Sequence, residues 1–148
     1  MIAVVQRVDS SGVSVDGHTV GEIGKGVVVF LGVAEGDGEK DADYLSDKII
    51  NLRIFEDSNE KMNLSLLDIS GEMLVVSQFT LLANCRKGRR PSFVDAAGPE
   101  QASELYEYFI GRARRHVEKV ATGQFQAMMK IDLVNNGPVT MILNSTKR

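Results

Sequence analysis

The sequence predicts an α+β fold: antiparallel β-sheets forming a barrel-like core, with two main amphipathic helices packed against it. Three observations carry this. Apolar runs and strict alternation crowd the first quarter of the chain between turn dipeptides. Two later segments repeat apolar residues at the three-and-four spacing of a helix with one buried face. The C-terminal quarter returns to strand-like alternation.

Met1 to Val8 reads as a strand, and Gly12 to Asp16 alternates inward Val13 and Val15 with polar neighbours. Asp16-Gly17 is a strong two-residue hairpin signal, and His18 to Ile23 is the returning strand. Gly24-Lys25-Gly26 turns into Val27 to Val33, which is apolar on both faces, so the first quarter is an antiparallel meander with one central strand. After an acidic, glycine-rich loop, Ala42, Leu45, Ile49 and Leu52 mark the first helix. Arg53 to Glu56 reads as a short strand, Asp57 to Glu60 as a turn, and Met62 to Leu67 as irregular or a short strand. Leu74 to Val76 is a strand that turns polar at Ser77 and Gln78, and the charged segment from Ala83 to Phe93 is a loop at the mouth of whatever Thr80 opens into. Pro99 suits the first turn of the second helix, whose buried face is Ala102, Leu105, Tyr106, Phe109, Ile110 and Ala113. That helix ends in Arg112, Arg114, Arg115 and His116, where positive charge favours the macrodipole. Gln124 to Val134 and Val139 to Leu143 are the last two strands, with Met128 and Met129 as core residues.

At 148 residues and 43% hydrophobic content the chain can bury a sizeable core, and its length argues for one domain over 1–148. Seventeen basic residues against twenty acidic ones give a net charge of −3, so any contact with nucleic acid has to come from local basic patches. One cysteine, Cys85, excludes an internal disulfide framework and fits a reduced, cytoplasmic compartment. The opening MIAVVQRV lacks the length and cleavage pattern of a signal peptide, and no segment reaches the ~18 apolar residues of a membrane span, so no membrane association is expected.

The inventory for chemistry is narrow. His18 lies in a hairpin and His116 at a helix end, both read as surface or structural residues. No cluster has metal-ligand spacing, and neither a metal nor another cofactor is expected. GEIGKG lacks a following helix and the Lys-Ser/Thr of a phosphate loop, which makes it a hairpin turn. Cys85 has no evident base beside it and reads as a passive residue.

What remains is Ser77, Gln78, Phe79 and Thr80 at a strand end. Without a histidine base Thr80 is a weak nucleophile, because hydroxyl attack needs a neighbour to take the proton. Electrostatic catalysis suits these residues better: backbone N–H groups of Phe79 and Thr80 would hold a developing oxyanion while another group, the substrate itself included, positions water. The plainer alternative is that Ser77 and Thr80 only cap the strand end. Gly137-Pro138 likewise reads either as a kink between strands or as a rigid turn that aims backbone carbonyls at a ligand amine. Arg86, Lys87, Arg89 and Arg90 place four positive charges within five residues beside the strand end, a patch that Arg112, Arg114 and Arg115 would extend; phosphate contact and a solvated loop are the two readings.

SQFTLL at 77–82, KGRRPSF at 87–93, LVNNGPVT at 133–140 and the opening MIAVVQRV resemble the bacterial D-aminoacyl-tRNA deacylases, the D-Tyr-tRNA deacylase family, over essentially the whole chain. The resemblance implies a hydrolase that cleaves the ester between a D-amino acid and the 3′-terminal adenosine of tRNA, without metal. It also implies a homodimer with sites at the subunit interface. Gly137 and Pro138 match the family's Gly-cisPro motif, which enters the partner's pocket and excludes L-amino acids, and Arg7 matches an arginine that supports that turn. Ser77, Gln78, Phe79 and Thr80 match the other motif, in which Thr80 is the nucleophile in one reading and its backbone neighbourhood the ester binder in another. Asn136 departs from the aspartate expected in many members, which removes a charge beside the turn and bears on fine specificity. A pocket built to reject L side chains does not easily reject glycine, so glycyl-tRNA is a further expected substrate. Two alternatives stand beside this: a non-catalytic tRNA-binding module, and a related deacylase for mischarged L-aminoacyl-tRNA whose Gly-Pro bond is trans.

Overall fold

The N-terminal apolar residues form one long strand, β1 (Ile2–Val15), rather than two, in the computed structural model, which describes residues 1–146. Lys147 and Arg148, the end of the expected domain, lie outside the described residues. The polar pair Asp9-Ser10 does not break the strand because pairing absorbs Asp9 as an extra residue, the register shifting between Val8 and Ser10. That slip has a packing consequence, since side chains alternate with period two. Before it, Ala3 and Val5 face the helices; after it, Val13 joins Val8 and Ile23 in a second cluster on the opposite face of the sheet.

The Asp16-Gly17 turn folds as expected, with φ of 50° and 77°, and returns the chain as β2 (His18–Ile23). β3 (Gly26–Gly32) runs antiparallel to the N-terminal half of β1 and is buried along nearly its whole length. Next to it lies β6 (Glu72–Ser77), then β7 (Val120–Thr122), both joined in parallel. The sheet is therefore mixed. Parallel pairing needs a long crossover, and the helices supply it: α1 (Glu39–Asn51) lies between β3 and β6, and α2 (Pro99–Arg114) between β6 and β7. The last strand, β8 (Lys130–Asn144), pairs antiparallel along β1. Gly21 of β2 comes so near β7 that a Cβ there would collide with the Thr122 carbonyl oxygen, and this approach nearly closes the sheet into a barrel.

The helices bury the faces that the spacing predicts except at Leu52, which caps the end of α1 half-buried while Ile50 takes the buried place in its last turn. α1 places Ala42, Leu45, Ile49 and Ile50 against the sheet, with Asp41 accepting a 2.9 Å hydrogen bond from the Gly38 amide at its start. α2 starts on Pro99 and buries all six expected apolar residues. Tyr106 of α2 donates to the Val75 carbonyl of β6 at 2.9 Å, and burial pushes its phenol up to about 12, so it stays a neutral donor that pins the helix to the strand. No helix among the described residues is long and apolar enough to cross a membrane.

Three local expectations are corrected. The strand expected from Gln124 begins only at Lys130, because 124–129 leave the sheet through a turn in which Gln126 has a φ of 62°. Met128 is consequently 91% exposed rather than core, while Met129 is half-buried against the second cluster, that of Val8, Val13 and Ile23. β8 is one strand rather than two: Gly137-Pro138 is a bulge carried within it. A small separate pair, β4 (Phe55–Glu56) and β5 (Met62–Leu64), accounts for the short strands expected nearby.

Candidate active site

β6 stops pairing at Ser77, opposite Leu31 of β3, and the Gln78 amide makes one last bond to the Leu31 carbonyl at 2.8 Å. The chain then tightens into a 3₁₀ turn, Phe79–Leu82, closed by the Leu81 amide on the Gln78 carbonyl at 3.2 Å. The amides of Phe79 and Thr80 come before that closing bond, at the position where a helical turn has no internal acceptor to offer. Ser77 and Gln78 are half-buried, and Phe79 and Thr80 are exposed. The side-chain amide of Gln78 donates to Thr80 Oγ1. Among the described residues no histidine, lysine or carboxylate forms a hydrogen bond with that hydroxyl, so nothing there would deprotonate it for attack.

The basic segment is built onto this strand end. Asn84 and Ser92 exchange backbone hydrogen bonds of 2.8 and 3.0 Å, closing a small hairpin whose tip holds Arg86, Lys87, Arg89 and Arg90, all exposed. Phe93, just past its base, packs edge-on against Phe79 with ring centroids 5.1 Å apart. The ion pairs among the described residues involve none of the four tip cations. The second basic run does not extend this patch. Arg112 pairs with Asp43 at 2.9 Å, Arg114 donates to the Val120 carbonyl at 3.2 Å, and all three arginines sit at the far end of α2, roughly 20 Å or more from its start at ~1.5 Å per residue.

The second motif sits in β8. Gln6 pairs with Thr140 and Val8 with Asn135, so the single residue Arg7 faces the four residues Asn136 to Val139, which bulge outward. At the crest Gly137 has a φ of +122°, the Gly137-Pro138 bond is cis, and both residues are exposed. Arg7, only 5% exposed, fills the underside. Its Nη1 donates to the Ile54 carbonyl at 2.7 Å, Nε to the Asn136 carbonyl at 3.3 Å and Nη2 to Asn136 Oδ1 at 2.8 Å, with Glu56 at 3.6 Å. Asn135 straps the base of the bulge, its Nδ2 donating to the carbonyls of Arg7 at 2.9 Å and Val139 at 3.0 Å.

These two motifs do not meet within one chain. The strands lie in the order β8, β1, β3, β6, three steps of ~4.8 Å, or roughly 14 Å laterally. Along the strands, Arg7 is level with Val27 and Met73, four residues before Ser77, which adds roughly 13 Å at ~3.3 Å per residue. Arg7 and the Gly137-Pro138 turn are thus brought together, and the 77–80 turn and the basic hairpin are brought together, as two separate constellations.

His18 and His116 are exposed; the His18 ring contacts the Asp16 carbonyl at 2.9 Å within its own hairpin. GEIGKG ends β2, turns at Gly24-Lys25 and opens β3 at Gly26, with the Gly24 amide donating to Glu72, and Cys85 is exposed in the basic hairpin. Among the described residues no three His, Cys, Asp or Glu side chains gather as a metal site would require. Sequence reasoning missed Phe93 as the hairpin's anchor, Asn135 as the strap and Asp9 as a partner of Asn136. For Phe93 the signal was present, an aromatic closing a polar loop; for the asparagines only the register of β8 against β1 reveals the partners.

The profile of the family described as D-Tyr-tRNA(Tyr) deacylase matches residues 4–144. A relative from Dehalococcoides mccartyi (strain BAV1), named D-aminoacyl-tRNA deacylase, is 62% identical over 148 residues, covering 100% of this chain and 97% of its own. Another of that name from Geotalea uraniireducens is 61% identical over 147 residues, 99% of this chain and 95% of the relative. A solved structure titled c-Myc DNA Unwinding Element Binding Protein superposes with a TM-score of 0.92 at 40% identity, covering 97% of this chain and 98% of that one.

Proposed function

The chain belongs to the D-Tyr-tRNA(Tyr) deacylase family, and on that basis we propose that it hydrolyses the ester of D-aminoacyl-tRNA in the cytoplasm, sparing L-aminoacyl esters. The observation that carries this reading is the exposed turn at 137–138 braced from below by Arg7, together with a strand end that offers backbone amides and no base at its hydroxyl. The ester carbonyl oxygen lies against the amides of Phe79 and Thr80, which stabilise the charge that develops on it. Water bonds to the ester carbon, the bond to the ribose oxygen breaks, and the proton ends on that oxygen. The terminal 2′-hydroxyl of the tRNA orients the water and relays that proton, the part that no side chain here supplies.

The proposed enzyme is a homodimer in which the Gly137-Pro138 turn of one copy enters the pocket at residues 77–80 of the other. The separation of the two motifs in a single chain supports this, because a twofold interface joins each turn to the opposite strand end and builds two equal sites. β8 lies at an edge of the sheet with Val134 and Ile142 exposed, a surface that a second copy would cover. Backbone carbonyls at the turn would hold the substrate amine and leave no room for an L side chain. Glycine has none, so glycyl-tRNA would be cleaved as well.

The test is deacylation of matched D- and L-tyrosyl-tRNA by the purified, metal-free protein. Rapid release from the D ester with the L ester spared is expected; equal tRNA affinity with no turnover would favour a binding module, and preference for the L ester the related deacylase. The tip cations are the proposed contacts to the acceptor end. Changing Arg86, Lys87, Arg89 and Arg90 together to Gln is expected to flatten the slope of log affinity against log salt by about 3, as loss of four phosphate contacts requires. An unchanged slope in a titration from low to high salt would remove the hairpin from the tRNA interface.

A further inference from the structure

We propose that Asp9 and Asn136 form a matched pair that sets Arg7 and, through it, the Gly137-Pro138 turn, so that Asp9 is a positioning residue of the site. The inference rests on the deacylase reading above and adds a residue to it. Asn136 Nδ2 donates to Asp9 Oδ1 at 2.8 Å while its Oδ1 accepts from Arg7 Nη2 at 2.8 Å. An ionised carboxylate only accepts and a guanidinium only donates, so the Asn136 amide, with one end of each kind, satisfies both, and in one orientation only. Asp9 is available because it is the extra residue of the β1 bulge, taken out of register beside Asn135 and Asn136. The chain from carboxylate to amide to guanidinium then continues to the Ile54 carbonyl, anchoring the turn to the segment before β4. Gly137 sits directly over this chain, where a Cβ would lie 3.0 Å from Arg7 Nη2, so a shift of the guanidinium is felt at the crest of the turn.

The pair makes a charge-swap prediction that a merely structural role does not. N136D sets a carboxylate against the Asp9 carboxylate and is expected to lower the ratio of D- to L-tyrosyl-tRNA turnover by about 10- to 150-fold, the worth of one hydrogen bond to a charged group. D9N/N136D restores donor to acceptor: the amide now at position 9 donates to the carboxylate now at position 136, which still accepts from Arg7. This double variant is expected to return the ratio to within about twofold of the parent. An N136D protein with the parent's ratio, or a double variant no better than N136D, would overturn the pairing. If the parent cleaves neither ester, the deacylase reading fails, and the pair is then judged by the Arg7 Nε–H resonance: a shift in N136D that reverts in D9N/N136D upholds it, and no shift overturns it.

Discussion

Replacing the terminal 2′-hydroxyl of D-tyrosyl-tRNA by hydrogen is expected to slow hydrolysis by about 10²- to 10⁴-fold, the range that positioned proton transfer contributes, while Thr80→Ala keeps kcat within about tenfold of the parent. The expectation follows from what surrounds Thr80. Its Oγ1 accepts the Gln78 amide proton, an arrangement that holds the hydroxyl in place without raising its nucleophilicity. The backbone amides of the turn survive removal of the side chain, so the proposed oxyanion contact would persist in Thr80→Ala. Single-turnover rates on the 2′-deoxy and normal esters, measured with both proteins, separate the cases. A 2′-deoxy ester cleaved at the normal rate, with Thr80→Ala inert, would assign the nucleophile to threonine instead.

How far the sequence carried this is clearest at particular elements. The six-residue apolar face of α2 and the Asp16-Gly17 turn were legible because helix periodicity and turn chemistry are local. The parallel join of β3 to β6 was not, since it depends on a crossover of some forty residues whose return position no local pattern encodes. Asp9-Ser10 looked like a strand break because a bulge and a break have the same polar signature and differ only in the partner's register. The site divides the same way. Ser77 to Thr80 and Gly137-Pro138 stood out by composition, whereas their separation within one chain follows from strand order. The partners of Asn135 and Asn136 follow from register too.

Gly137→Ala is expected to lower stability by about 2–4 kcal/mol and to lose most of the discrimination between D and L esters. The backbone carries part of this cost: a φ of +122° lies where L residues are strained by roughly 1–3 kcal/mol. Space carries the rest, because the added Cβ would stand 2.8 Å from Val139 Cγ2 and 3.1 Å from the Val139 amide, neither of them the far end of a flexible side chain. Relief by moving Val139 is opposed by Asn135, whose amide holds the Val139 carbonyl, and relief toward Arg7 is opposed by the bonds of the guanidinium to Ile54 and Asn136. The relief left to the turn is to tip outward, into the space where the proposed function has it refuse an L side chain. Urea unfolding reads the first effect and the ratio of D- to L-tyrosyl-tRNA turnover the second. A stability loss of this size with an unchanged ratio would make the turn a structural feature of β8 and place chiral selection elsewhere in the molecule.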